Sequence, residues 1–293
     1  MAEKKTNVLL LIDANALIHR FFHALPPLTT PDGQPIQAIY GLCGILLKIL
    51  REQKPEYVAA AFDRPEPTFR DEIFKDYKAH RPPTADDLVP QIIRAREVFE
   101  AFGIKSFDVP GFEADDIIGT LTEQFRGEPD FKIVILSGDN DLLQLVIDEK
   151  VVAQIVKTGL SETVIYNEKG VEEKYGLKPN QLADYKGMVG DTSDNIPGIK
   201  GVGPKTAQPL LKEYGNLEEV FASIGIIPEK ISKKLEGQKE IALMSKKLAT
   251  IRRDAPVAVS GLSSLAMEEL NKEKLSKYFT ELGFKSLVER LNK

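Results

Sequence analysis

At 293 residues, 42% hydrophobic and 28% charged, the chain has the composition of a globular protein with one large domain or a core and a smaller companion. A net charge of -5 argues against a wholly basic nucleic-acid-binding surface, and a single cysteine, Cys43, excludes an intramolecular disulfide. In "MAEKKTNVLLLIDANA" the basic start and apolar run are cut by Asp13 too early for a signal peptide or a membrane span, so a cytoplasmic protein with no membrane partner is expected.

"VLLLID", Val8 to Asp13, is a short apolar run ending in a carboxylate and followed by the helical pattern "ANALIHRFFHAL". The unit recurs. "YVAAAFD" ends at Asp63 after a helical stretch from Gln37 to Glu52, "IKSFDVPGF" leads into "FEADDIIGTL", and "KIVILSGD" ends at Asp139 before "NDLLQLV". Continuous apolar strands alternating with helices predict an α/β fold, a mainly parallel sheet covered by helices on both faces. Between the sheet segments, Arg64 to Pro90 is rich in proline and charge and interleaves Phe69, Arg70, Phe74, Lys75, Tyr77, Lys78 and Arg81. Rings and cations mixed in this way suit single-stranded nucleic acid.

Beyond Val151 come two possible strands, "VVAQIVK" and "ETVIY", and then helical segments. The division expected is 1–175 for the α/β core, including the excursion 64–90, and 176–293 for a helical region. Within the latter, "GIKGVGPK" sets glycines at 198, 201 and 203 before Pro204 and Lys205, and no acidic residue occurs between Asn195 and Lys212. Glycines permit close backbone approach, and the helix start that follows offers free N–H groups to a phosphate. The pattern reads as a helix-hairpin-helix gripping a duplex backbone without reading its sequence.

In parallel sheets ligands bind at the carboxyl ends of the strands, where these acids fall. One acid there is an ordinary helix cap, and the acids of "FEADDIIGTL" also complement a helix dipole. Capping does not account for four strand ends at once. If Asp13, Asp63, Glu113, Asp115, Asp116, Asp139 and Asp141 converge with Asp191 and Asp194 of "GDTSDN", their repulsion, roughly 4 kcal/mol per pair about 4 Å apart at an effective dielectric near 20, demands protons or cations. Oxygen-only donors favour Mg2+ or Mn2+, and two such ions are the recurring device for phosphodiester hydrolysis. His19, His23 and His80 show no metal-ligand spacing and read as packing or surface residues.

"LLLIDANALIHRFFHAL", "AAAFDRPEPTFRDEIFKDYKAHRPPTADDL", "GFEADDIIGTL", "LSGDNDLLQLV" and "MVGDTSDNIPGIKGVGPKTA" together resemble the 5'-nuclease (flap endonuclease) family, most of all the N-terminal 5'-3' exonuclease domain of bacterial DNA polymerase I. The resemblance covers essentially the whole chain. It implies a PIN/5'-nuclease-like fold and a metal-dependent nuclease of DNA replication and repair, acting as a monomer on 5' ends, flaps and RNA–DNA primers of branched duplexes. By motif position, Asp13, Asp63, Glu113, Asp115 and Asp116 would surround one Mg2+ and Asp139, Asp141, Asp191 and Asp194 a second, with Mn2+ able to substitute. Residues 64–90 would form an arch, with Lys78 and Arg81 near the scissile phosphate, Tyr77 stacking on a base, and Arg20 a further catalytic residue. Arg70, Gly198, Gly201, Gly203, Lys205 and Thr206 would contact DNA, and hairpin carbonyls would carry K+. Asn140 stands where the family often has lysine, and Pro209 is expected to kink or delay its helix. A free-standing nuclease and a segment of a longer polymerase both fit the sequence. Two other classes compete: a DNA-binding module with an inert acidic cleft, and a small-molecule phosphatase, which leaves the hairpin and arch unexplained.

Overall fold

The computed structural model describes residues 6–157 and 162–293; the basic start of the chain, 1–5, lies outside them. In chain order the elements are β1 (Asn7–Asp13), α1 (Ala14–Ala24), α2 (Gln37–Gln53), β2 (Tyr57–Ala61), α3 (Phe69–Ile73), α4 (Val89–Ala101), β3 (Lys105–Phe107), α5 (Ala114–Phe125), β4 (Phe131–Ser137), β5 (Val151–Val156), β6 (Thr163–Tyr166), α6 (Glu168–Tyr175), α7 (Leu182–Val189), α8 (Pro204–Tyr214), α9 (Leu217–Ala222), α10 (Glu229–Leu235), α11 (Lys239–Ala249), α12 (Lys272–Glu281) and α13 (Lys285–Asn292). No helix among the described residues is long and apolar enough to cross a membrane.

The strands form one sheet in the order β3-β2-β1-β4-β5-β6, parallel except for β6, which runs antiparallel to β5. Successive side chains of a strand face opposite sides, so β1 feeds two cores. Leu10 and Ile12 pack with α1, α2 and α4, whereas Leu9 and Leu11 pack with Ile117, Ile118 and Leu121 of α5. Burial on both faces is why these strands read as unbroken apolar runs. Cys43 is fully buried in α2. The chain leaves β1 toward β2 and β3 on one side and adds β4 and β5 on the other, so the β1/β4 boundary is a topological switch point.

Helices α7 to α11 enclose a core of their own, built from Met188, Ile199, Val202, Leu210, Leu211, Leu217 and Leu235. The last two helices do not join it. Leu275 and Phe279 of α12 and Leu287 and Leu291 of α13 pack back onto the sheet with α2 and α4. "NDLLQLV" forms only a short 3-10 turn, Asp141–Leu145, rather than an α-helix. α8 starts at Pro204 with Pro209 inside it, so its start is not delayed.

The hairpin between α7 and α8 depends on an unusually close backbone approach. Gly198 has φ +62°, and a Cβ placed there would lie 2.2 Å from the Gly190 nitrogen. Gly198→Ala is therefore expected to lower unfolding free energy by roughly 1–3 kcal/mol or more, measured by urea denaturation. A midpoint equal to wild type would mean that the hairpin tolerates separation of its two arms.

Candidate metal and nucleic-acid site

The switch point is stitched together by a carboxylate. Asp13 ends β1 and caps α1, accepting the Ala16 N–H at 3.0 Å on Oδ1 and the hydroxyl of Ser137, the last residue of β4, at 2.6 Å on Oδ2. Ser137 Oγ in turn accepts the Asp139 N–H at 2.9 Å, and Asp139 accepts the Asp141 N–H at 2.9 Å. Asp63, just past β2, accepts the Ala114 N–H at 2.7 Å, which fixes the start of α5 beside it. Asp13, Asp63, Glu113, Asp115, Asp139, Asp141 and Asp194 line one cleft of about 580 Å³.

Enclosure and mutual repulsion push four of these acids up, Asp13, Asp63, Asp115 and Asp141. Burial raises Asp13 from its ordinary 3.8 to about 7, with Asp63 and Asp139 adding to the effect against the bonds from Ser137 and Ala16. Asp115 is raised strongly by burial and by Asp13, Asp139 and Asp141. Asp141 reaches about 6 through burial and Asp139. Asp63 opens to solvent on the cleft floor, yet the walls desolvate it and Glu113 repels it, so it too is raised. Such groups take up protons unless a cation is supplied.

On the far side of the cleft, carboxylate oxygens of Asp141, Asp191 and Asp194 lie within 4.8 Å of one another. Lys186 of α7 sits among them, donating to both oxygens of Asp141 and to Asp191 Oδ2 at 2.5 Å. Burial alone would raise Asp191, but the Lys186 ammonium and Ser193 outweigh it and hold this carboxyl below its usual range. The 64–90 excursion folds down over the cleft. Lys78 Nζ pairs with Glu113 Oε1 at 2.8 Å, Arg81 pairs with Asp194 Oδ1 at 2.5 Å, and the Lys78 N–H donates to the Asp194 carbonyl at 3.0 Å. Arg20 lines the rim with His19 and His23 and donates to the Lys157 carbonyl at 2.8 Å.

Four expected placements are corrected. Asp116 does not face the cleft: it is fully buried, its Oδ2 accepting from Arg70 at 2.7 Å and the Glu113 N–H at 3.1 Å, its Oδ1 from Arg70 at 2.9 Å and the Arg252 N–H at 2.8 Å. With every oxygen engaged, it is an anchor rather than an ion ligand. Arg70, expected to contact DNA, is that anchor's partner and also donates to the Leu248 and Thr250 carbonyls at 2.9 and 3.1 Å. Tyr77 offers no ring face to a base. It is 5% exposed, with its hydroxyl 3.3 Å from both Glu113 Oε2 and Asp194 Oδ2. Gly198 is buried against Gly190, so only Gly201, Gly203, Lys205 and Thr206 of the hairpin set reach the surface.

Sequence reasoning missed Lys186, Ser137 and the cleft positions of His19 and His23. The histidines carried a signal: they are one helical turn apart on α1, so they share one face of that helix, the face that lines the cleft.

Residues 8–176 match the 5'-3' exonuclease N-terminal resolvase-like domain, and residues 177–273 match the 5'-3' exonuclease C-terminal SAM fold. The chain is 46% identical over 285 residues to DNA polymerase I of Caldicellulosiruptor bescii and 44% identical over 292 residues to that of Bacillus subtilis. These matches cover 97% and 99% of this chain but 33% of each relative, so the chain spans about a third of the length of the curated relatives it matches. Among solved structures it resembles T5 5'-exonuclease with bound zinc ions (18% identity, TM-score 0.67, 97% of each chain). It also resembles the catalytic core of Rad2 in complex with a DNA substrate (18% identity, TM-score 0.62, 97% of this chain and 93% of that one). At this identity both likenesses speak for the fold.

Two outcomes follow from the geometry. Asp13 has a folded value of about 7 against an ordinary 3.8, so the folded state holds a proton that the unfolded chain has lost. Its stabilising contribution is full below the ordinary value and disappears as pH rises through about 7. In chelator, Asp13→Asn should flatten the fall of melting temperature between about pH 5 and about pH 8 relative to wild type; identical slopes would remove Asp13 as the cause. Asp116→Asn removes the doubly bonded carboxylate from the buried Arg70 guanidinium and leaves it only Glu113 Oε2 at 3.5 Å, at a cost of about 3–5 kcal/mol. Urea midpoints check this, and a variant as stable as wild type would show that the pair anchors nothing.

Proposed function

The chain belongs to the 5'-3' exonuclease family, and from that premise we propose that it is a structure-specific 5' nuclease, hydrolysing phosphodiesters at 5' ends and flaps of branched DNA and at RNA–DNA primers. The observation that carries the reading is the convergence of acids from four strand ends in one cleft where Asp13 and Asp115 pair with no cation among the described residues. The oxygen-only donor set fits a hard divalent ion. Asp13, Asp63, Glu113 and Asp115 would hold one Mg2+ and Asp139, Asp141, Asp191 and Asp194 another, with Mn2+ able to replace them. When bound, the ions supply Lewis acidity and a water of lowered pKa.

The protein's own groups orient the reaction. Ser137 and the Ala16 N–H set the direction of the Asp13 oxygens, and Tyr77 bridges Glu113 and Asp194 so that the two acidic groups keep a fixed separation. Lys78 and Arg81, now spent on Glu113 and Asp194, are the cations nearest the acids from the arch and would turn to the scissile phosphate. Arg20 on the rim would add a third. Charge-assisted contacts of this kind favour phosphate over a neutral ligand. Gly201, Gly203, Lys205 and Thr206 would hold the duplex backbone. Hairpin carbonyls other than Gly201 O, which accepts the Lys234 ammonium at 3.1 Å, would carry K+.

We further propose the division 1–175 and 176–293, a monomeric state and action in the bacterial cytoplasm. The competing reading, a binding module with an inert cleft, requires DNA binding without turnover. Cleavage of a 5'-flapped duplex with and without Mg2+ decides between them. Wild type is expected to cleave only with the ion, and Asp115→Asn to lose at least about 100-fold in rate while still binding DNA. Absence of ion-dependent cleavage by wild type would overturn the nuclease reading.

A further inference from the structure

Lys78, Arg81 and Lys186 each spend their charge on a carboxylate of the cleft. Lys174 does not. Near the end of α6, it is exposed, and its Nζ donates to the neutral Asn140 Oδ1. Asn140 lies between Asp139 and Asp141. The same ammonium lies 4.9 Å from the centre of the Tyr166 ring and 5.4 Å from that of Tyr175. Tyr175 itself stands close enough to the acids that, after burial, the charges of Asp141 and Asp139 raise its hydroxyl.

Holding a lysine in one place costs side-chain entropy. Two ring faces and an amide acceptor offset that cost without neutralising the charge. The result is a fixed cation with its charge unspent at the mouth of the second acidic group. Its location relative to the hairpin is also fixed: Gln208 of α8, the helix that follows the hairpin, donates to the Tyr175 carbonyl at 2.8 Å. Beside this junction, Lys178 and Lys212 line a further cavity of about 590 Å³ with Gly176 and Gly215. That cavity also takes Glu172, and its two ammonium groups lie where α6 meets α8.

We propose that Lys174 is a phosphate contact for the nucleic-acid strand passing from the hairpin to the Asp139/Asp141 side of the cleft. The ligand class is a phosphodiester backbone, read by charge alone. The proposal rests on the nuclease reading for the direction of the strand, but it is tested by binding and not by turnover.

The experiment is equilibrium binding of a 5'-flapped duplex in chelator, followed by fluorescence anisotropy over a range of KCl. Lys174→Met keeps the apolar stem on the two rings and removes the charge. It should reduce the slope of log affinity against log salt by about 0.9 and weaken binding several-fold, with the melting temperature unchanged. Lys174→Arg should retain the wild-type slope. Asn140→Lys in the Lys174→Met background should restore it, because the charge returns to the same spot. An unchanged slope in Lys174→Met, or a loss that neither arginine nor Asn140→Lys repairs, overturns the proposal. If wild type binds without ever cleaving in Mg2+, the nuclease reading falls, while the slope comparison still decides the role of Lys174.

Discussion

Concentrated negative charge at the carboxyl end of a parallel sheet is the constraint around which this protein is built. Four strand ends deliver acids to the β1/β4 switch point, and nearly every polar feature nearby reduces the cost of keeping them together. Ser137 and backbone N–H groups solvate Asp13, Lys186 bridges Asp141 and Asp191, and the excursion brings Lys78 and Arg81 down onto Glu113 and Asp194. Where no cation arrives, at Asp13 and Asp115, the carboxyls move upward instead. An acidic cluster of this density is stable only as part of a larger charge arrangement, and the family's chemistry supplies the reason to keep it.

One pair supports that arrangement from its edge, Arg70 also reaching Glu113 Oε2 at 3.5 Å. Arg70 and Asp116 are both buried and doubly bonded to each other, and their remaining contacts reach the Leu248 and Thr250 carbonyls, the Arg252 N–H and the Glu113 N–H. The base of the excursion, the start of α5 and the segment after α11 thus meet at one junction. Arg252 reinforces it from outside, its guanidinium lying 5.1 Å from the Phe69 ring centre and 4.8 Å from that of Phe112. A buried pair is weak evidence for net stability, but breaking one side of it is expensive, which makes it a rigid coupling between elements far apart in sequence.

Much of this was legible in the chain. Parallel strands buried on both faces are continuous apolar runs, and each ended at an acid, so both the sheet and the acidic cleft could be read from "VLLLID", "YVAAAFD" and "KIVILSGD". The error over Asp116 was avoidable. Glu113 caps α5 and Asp116 is its third residue, the capping-box spacing, and Asp116 does accept the Glu113 N–H. Asp115 and Asp116 also lie about 100° apart around the helix, so both could not face the same cleft. Tyr77 and Arg70 were misread for a different reason: an irregular excursion has no periodicity from which burial can be inferred. Lys186 was invisible because one of its partners, Asp141, is 45 residues away and nothing local marks the pairing.

The order in which the two acidic groups occur along the chain has a temporal meaning. Asp13, Asp63, Glu113, Asp115, Asp139 and Asp141 all precede the final strand, whereas Lys186, Asp191 and Asp194 follow it on and after α7. A ribosome working from the amino terminus therefore delivers the sheet and most of its acids first, and the residues that complete the far side of the cleft last. Until α7 and its turn have emerged, Asp141 lacks its ammonium partner and Arg81 and Tyr77 lack their contacts with Asp194. Completion of the cleft therefore depends on the folding of the helical segment that carries the hairpin.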